Sequence, residues 1–241
     1  MIGYYVLRAI APRKNGNHSI EVEESPDTKL LQYFGNDFPD LIQGKTVIDF
    51  GCGRGKQAVE MALLGAGKVI GTDINTERLK MGERLASEKG VSGRCIFCES
   101  TTDKADIIIS KDAFEHFADP LAILNLMASL LKPDGCVLAA FGPTWLHPYG
   151  GHFFSMFPWA HLIFSEESLA RWREDYKHDG AKGFVGLNKL TIAGFEQIVS
   201  RSQLRLDWLE TVPIKGLTIL KSRLFREIGS SIVRCKLSLN Q

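Results

Sequence analysis

The sequence predicts a doubly wound α/β fold, in which helices cover both faces of a mostly parallel sheet. Residues 46–73 have, in order, the patterns of a strand, a glycine turn, a helix and a second strand, which together indicate a βαβ unit. Residues 106–110 include three consecutive isoleucines, as is typical of a strand buried on both faces. The apolar segments predicted as strands are 46–50, 68–72, 94–98, 106–110, 136–141, 204–211 and 231–237.

Composition limits the classes of protein that need to be considered. The chain has 241 residues, of which 44% are hydrophobic and 24% charged, as expected for a single globular domain. The formal net charge of +1 provides no broad positive field, so a nucleic-acid partner is not expected. The N-terminal apolar run is interrupted by Arg8, and we predict neither a signal peptide nor a membrane span.

The cysteines predict a reducing compartment. There are five, an odd number, and they lack the spacing of a disulfide framework. Cys95 and Cys98 form a C-x-x-C pair, but within a strand their side chains point to opposite faces. We therefore expect no zinc or redox role for this pair, and we predict a cytoplasmic location.

The glycine turn after the first strand predicts the kind of ligand. A dinucleotide fingerprint, G-x-G-x-x-G, would need glycine at position 56, where the chain has Lys56. The pattern is instead Asp49-x-Gly51-x-Gly53-x-Gly55. An acid at position 49 would repel a pyrophosphate but suits a cationic amino group, and Asp73 can accept hydrogen bonds from ribose hydroxyls. Together these acids favour a ribose-bearing ligand with an ammonium group, such as S-adenosylmethionine (SAM).

This stretch resembles motif I of the class I SAM-dependent methyltransferases, in particular the small-molecule methyltransferases of type 11. The resemblance covers about residues 45–141, and Glu115-His116 followed by Asp119-Pro120 is similar to the family's "EHxxDP" segment. It implies a Rossmann-like, seven-stranded sheet in which the last two strands form an antiparallel edge hairpin. It also implies SAM as the cofactor.

The resemblance further implies which residues contact that cofactor. Glu99 or Ser100, after the third strand, would meet the adenine amino group, and Lys111 and Asp112 would meet the methionine end with their backbone. The full set of expected cofactor-binding residues is Asp49, Gly51, Cys52, Gly53, Gly55, Asp73, Ile74, Glu99, Ser100, Lys111 and Asp112.

The rest of the chain is expected to surround this core. We divide the single domain into an N-terminal cover (1–44), the SAM-binding core (45–142), an aromatic-rich lid or acceptor insert (143–190) and a C-terminal helix with the edge strands (191–241). Residues 4–7 suit either a strand or a cover, and residues 217–228 are predicted to be helical. Predicted helix N-caps are Asn75, Asp119, Ser165 and Thr191.

Histidines are the candidate catalytic residues. Methyl transfer from a sulfonium is an in-line displacement, and a hydroxyl acceptor generally needs a base near pH 7. His116, His147 and His152 are the candidates, and His116 is the best placed because it follows the fourth strand. His147, His152 and the later His161 do not have a recognisable metal-ligand spacing, so no metal is predicted.

Missing motifs narrow the choice of acceptor. Residues 110–114 read SKDAF, without the N/D-P-P-Y/F stretch of amino-group DNA and glutamine methyltransferases, and no Pro-Cys pair supports cytosine C5 chemistry. A small organic acceptor remains, and this class includes lipidic and glycan-borne acceptors. The sequence does not indicate the oligomeric state. Two alternatives stay open: a non-catalytic SAM-binding protein on the same fold, and a nicotinamide oxidoreductase, which Lys56 and Asp49 disfavour.

Overall fold

The computed structural model describes residues 2–10, 29–152, 157–177, 187–214, 222 and 225–240. Its centre is a seven-stranded sheet with the order β3-β2-β1-β4-β5-β7-β6. The strands are β1 (Thr46–Phe50), β2 (Lys68–Thr72), β3 (Cys95–Cys98), β4 (Ala105–Lys111), β5 (Leu131–Phe141), β6 (Leu204–Pro213) and β7 (Ser230–Leu239). The first five run parallel, whereas β7 is antiparallel to both β5 and β6. The predicted doubly wound sheet with an antiparallel edge is confirmed.

Most of the helices lie at the positions that apolar periodicity and capping residues predict. The side chains of Asn75, Asp119, Ser165 and Thr191 accept hydrogen bonds from the backbone N–H groups three residues later. The described helices are α1 (Ile2–Ile10), α2 (Leu30–Phe34), α3 (Phe38–Ile42), α4 (Lys56–Leu63), α5 (Thr76–Glu88), α6 (Pro120–Leu130), α7 (Ala160–Ile163), α8 (Glu166–Lys177), α9 (Ile192–Arg201) and α10 (Arg226–Gly229). None of the helices in the described ranges combines the length and apolar character needed to cross a membrane.

The sheet separates two apolar cores. One contains side chains from α6 and α9 with one face of the central strands, and the other contains side chains from α3, α4 and α5 with the opposite face. Cys95 lies in the second core while Cys98 packs against the first. Their predicted orientation to opposite faces is thus confirmed, and this pair cannot chelate one ion.

A third, smaller core joins helix α1 of the predicted N-terminal cover to helices α7 and α8 of the predicted insert. Tyr4 and Leu7 of α1 pack with Leu169 and Trp172 of α8. The Arg171 guanidinium lies 4.2 Å from the centre of the Tyr4 ring. The strand considered for residues 4–7 is therefore wrong: the segment is helical, because Tyr4 and Leu7 recur at helical spacing and only that face is buried.

Two further segments differ from the sequence prediction. Strand β5 begins at Leu131 rather than at position 136, so the predicted turn at 133–135 lies within the strand as a register irregularity beside Ala105. Gly135 permits this irregularity, because a Cβ there would lie 3.0 Å from the Ala105 carbonyl oxygen. The predicted helix at 217–228 lies mostly outside the described residues, and only its end, in α10, is described as helical.

Gly55 offers a test of how α4 and α5 are held against the sheet. Its φ is +75°, and an added Cβ would lie 2.6 Å from the Phe97 ring and 2.7 Å from the Gly82 Cα. Gly90 has nearly the same φ, +70°, but nothing within 4 Å of its Cβ position. We expect Gly55→Ala to lower the free energy of unfolding by about 1–3 kcal/mol more than Gly90→Ala, as overpacking does. Urea unfolding measures both, and equal losses would contradict this packing role.

Candidate active site

The chain turns sharply at the carboxyl end of β1 and is tied there to the end of β2. The backbone N–H groups of Gly51 and Cys52 both donate to the Thr72 carbonyl at 2.9 Å. The Gly53 N–H donates to one Asp73 carboxylate oxygen at 2.9 Å, and the other oxygen accepts from the Asn75 N–H at 2.8 Å. Asp73 therefore holds the glycine loop in place.

The loop glycines have different surroundings. Gly53 has a φ of +53° and no heavy atom within 4 Å of a Cβ position, so a ligand can approach its backbone closely. A Cβ on Gly51 would instead lie 3.1 Å from the Ala113 Cβ, which shows that the loop packs against the segment after β4. The neighbouring Cys52 side chain is buried, and burial raises the pKa of its thiol far above the ordinary value. The Cys52 thiol is therefore neutral and unreactive, and a cofactor contact of this residue stays a prediction.

Asp49 is fully enclosed at the base of this loop. Its side chain has no exposed surface, and neither carboxylate oxygen has a hydrogen-bond partner. Burial raises the pKa of Asp49 to about 7, although the Ala58 backbone and the Lys111 charge act in the opposite direction. Asp49 is buried at the end of β1, and its contact with a cationic ligand group stays a prediction.

The strand ends next to the loop expose the side chains expected around an adenine. β2 and β3 are paired at Thr72 and Cys98, so the residues that follow them leave the same edge of the sheet. Ile74 is 95% exposed, and Glu99 and Ser100 are also exposed. These positions are open to a ligand that extends from the glycine loop along this edge.

At the end of β4, the ion pair of Lys111 and Asp112 lies next to Tyr33. The sequence analysis did not identify this tyrosine. The Lys111 ammonium forms an ion pair with the Asp112 carboxylate and lies 4.9 Å from the centre of the Tyr33 ring. Tyr33 belongs to α2, and the Arg234 guanidinium fixes that helix by donating to the Tyr33 carbonyl at 3.0 Å. Burial, followed by the charges of Asp112 and Glu115, raises the pKa of Tyr33. No sequence motif marks Tyr33, because only the fold brings α2 over this edge.

Beyond the charged pair, a short 3₁₀ turn, Phe114–His116, meets the insert. The rings of His116 and His152 lie 5.3 Å apart, centre to centre, in an edge-on arrangement. Ligand atoms of Glu115, His116 and His152 all lie within 4.8 Å of one another. Asn188 holds the turn, since its side chain donates to the carbonyls of Phe114 and Phe117 at 2.6 and 2.9 Å.

Burial sets the protonation of this group. Glu115 is 6% exposed, and burial, with a contribution from Asp112, raises the pKa of its carboxyl to about 7. Burial and the neighbouring His116 lower the pKa of His152 to about 4, so its imidazole is neutral at pH 7. The sequence identified both histidines but not Glu115 as part of the site, although Glu115 belongs to the same short motif.

His147, the third histidine candidate, lies outside this group. It is 5% exposed, and its Nδ1 accepts a hydrogen bond from the Tyr149 N–H at 3.1 Å. Burial, with a contribution from His161, lowers the pKa of His147 to about 4. His161 in turn lies 2.6 Å from the Trp145 carbonyl through its Nε2. These contacts make both residues part of the insert's internal packing.

The sequence is similar to known methyltransferases. Residues 41–142 match the family model described as a methyltransferase domain. A ubiquinone biosynthesis O-methyltransferase of Parvibaculum lavamentivorans is 30% identical over 176 residues, which cover 71% of this chain and 63% of that protein. A protein of the same description from Actinobacillus pleuropneumoniae is 38% identical over 105 residues, 38% of this chain and 43% of that one.

Solved structures support the fold assignment. The structure of an S-adenosylmethionine dependent methyltransferase from Mesorhizobium loti aligns with a TM-score of 0.58 at 16% identity, covering 83% of this chain and 96% of the other. The chain spans about half the length of the curated relatives it matches. Its core is a class I SAM-dependent methyltransferase domain.

The buried carboxyl of Asp49 predicts a pH-dependent stability. An unfolded aspartate loses its proton near pH 3.8, whereas folded Asp49 keeps it to about pH 7. Between these values the native state binds more protons, so this group lowers the free energy of unfolding as the pH rises. The Tm of Asp49→Asn minus that of the wild type should therefore increase from pH 4 to pH 7 and then level off.

Asp106→Asn is the matched control in these thermal scans. Burial of Asp106 is outweighed by hydrogen bonds from the Lys132 ammonium and the Thr46 N–H, so the pKa of Asp106 is lowered. Its stabilising effect is complete above pH 3.8, and the deficit of Asp106→Asn should stay constant from pH 5 to pH 8. An Asp49→Asn difference as flat as this one would contradict the buried, raised carboxyl.

Proposed function

We propose that the protein transfers the methyl group of SAM to an oxygen atom of a small organic acceptor. One observation carries the proposal: the open Gly53 turn, tied to Asp73, lies on the same edge of the sheet as the group formed by Glu115, His116 and His152. The first feature suits the cofactor and the second suits an acceptor. The names of the O-methyltransferase relatives support oxygen as the accepting atom.

The cofactor would extend along the strand ends from the loop in both directions. The ribose would bind at Asp73, whose carboxylate oxygens retain lone pairs beyond the two backbone bonds they accept. Adenine would lie near Ile74, Glu99 and Ser100, and the methionine end near Lys111 and Asp112. Asp49 lies at the end of β1 next to the loop, and a cationic ligand group nearby would favour its ionised form electrostatically.

The residues around the methyl group would position the acceptor and exclude water. As the acceptor oxygen bonds to the methyl carbon, the carbon–sulfur bond breaks and its electron pair stays on sulfur, giving neutral S-adenosylhomocysteine. The acceptor's proton leaves towards His116, which lies at the exposed end of the group. Tyr33 and the insert that carries His152 would cover this step, in keeping with the cover and lid proposed from the sequence.

The acceptor class and the compartment are part of the same proposal. The proposed class of small organic acceptors includes molecules with a lipidic portion and molecules that carry a glycan-borne hydroxyl. All five cysteines are free, which supports a reducing, cytoplasmic environment.

Transfer of a labelled methyl group from SAM into a metabolite extract tests the proposal and identifies the acceptor. We expect label in a small, O-methylated product. His116→Ala should lower turnover by about 100-fold or more, as loss of a catalytic proton acceptor does, while SAM affinity stays nearly unchanged. Gly53→Ala is the complementary control: its new Cβ would enter the open side of the loop and weaken SAM binding. Tight SAM binding without any labelled product would contradict the proposed transfer.

A further inference from the structure

We propose that Glu115, His116 and His152 bind a divalent transition-metal ion, and that this ion holds the acceptor's oxygen. The first two residues form the 3₁₀ turn after β4, while His152 comes from the insert after β5. Among the described residues this is the one group of at least three potential metal ligands brought together by the fold. The role assigned to the acceptor rests on the proposed function, whereas the ion site itself does not.

The geometry of the three side chains suits a partly open site. Their ligand atoms lie within 4.8 Å of one another, and ligands at about 2.1 Å from a tetrahedral ion lie about 3.4 Å apart. Small side-chain adjustments on binding would have to close the remaining difference, and His116, the exposed member, has the most room to move. Two imidazoles and one carboxylate leave at least one coordination position for water or a substrate oxygen, and this ligand set suits Zn²⁺ and related ions.

The buried carboxylate provides an independent argument. Glu115 is 6% exposed, and its Oε2 has no hydrogen-bond partner. A buried oxygen without a partner costs free energy, which an ion at this position would recover.

The surrounding structure holds the ligands in place. The Asn188 N–H donates to the Glu115 carbonyl at 2.9 Å, and the Asn188 side chain secures the carbonyls on both sides of the turn. These bonds fix the backbone of the turn that carries Glu115 and His116. His152 is placed by the tight turn from residue 149, whose carbonyl accepts the His152 N–H at 2.9 Å.

An ion here would change how the acceptor loses its proton. Coordination lowers the pKa of a hydroxyl, so the O–H proton passes to solvent and the metal-held oxygen forms the new bond to the methyl carbon. The carbon–sulfur bond breaks as before, and no oxidation or reduction occurs. His116 then acts as a ligand in place of a free base, and transfer becomes sensitive to chelators.

Titration of the tag-free, chelator-treated protein with Co²⁺ tests the site, with visible absorption as the readout and Zn²⁺ as the competitor. We expect one Co²⁺ per chain, displaced by Zn²⁺. His116→Ala, His152→Ala and Glu115→Gln should each weaken binding by at least tenfold, as loss of a direct ligand does. His147→Asn is the matched control, since His147 lies in the same insert but outside the group, and it should bind Co²⁺ like the wild type. Circular dichroism checks that each variant is folded.

The outcomes separate this inference from the proposed function. Absence of stoichiometric Co²⁺ binding, or equal binding by the wild type and folded His152→Ala, would overturn the metal site while leaving methyl transfer from SAM intact. Stoichiometric Co²⁺ binding that depends on the three residues supports the site even if the protein fails to bind SAM, and that failure would count against the proposed function alone.

Discussion

The tie between the glycine loop and the end of β2 is the interaction on which the rest of the site depends. The Thr72 carbonyl and the Asp73 carboxylate together accept three N–H groups from residues 51–53. These bonds bring the backbone of the loop to the switch point of the sheet, where β1 lies between β2 and β4. Because Asp73 also fixes the start of α5, the same carboxylate links the loop, the sheet and the following helix.

Two buried carboxyl groups at the site, those of Asp49 and Glu115, lower the free energy of unfolding. Asp49 and Glu115 each have an oxygen without a hydrogen-bond partner, and burial raises the pKa of both to about 7. Such groups are costly in an interior and cluster at functional sites. Asp49 lies at the end of β1 next to the glycine loop and Glu115 lies beside the two histidines, so a positively charged ligand group at either place would offset the cost of burial.

Much of the fold follows from local sequence signals. Strands β1, β2 and β4 and helices α5, α6 and α9 were predictable from apolar periodicity, capping side chains and turn glycines, because these features act within a few residues. The glycine pattern also distinguished a nucleoside site from a dinucleotide site, and the methyltransferase fold is confirmed.

The parts that were not predictable depend on contacts between distant segments. Tyr33 lies near Lys111 because α2 is packed through Leu30 and bonded to Arg234 on β7, both of which are distant contacts. His147 and His152 are close in sequence, yet one packs inside the insert and the other meets His116. The helical character of residues 2–10 was missed because the apolar partners of that helix lie on α8, far along the chain.

Calorimetric titration of the protein with SAM, S-adenosylhomocysteine and NAD tests the central claim, that this loop accepts a nucleoside with a cationic amino-acid tail. The account predicts saturable binding of SAM and of its demethylated product at one site per chain, and no binding of NAD. Binding of NAD in the absence of SAM binding would contradict it.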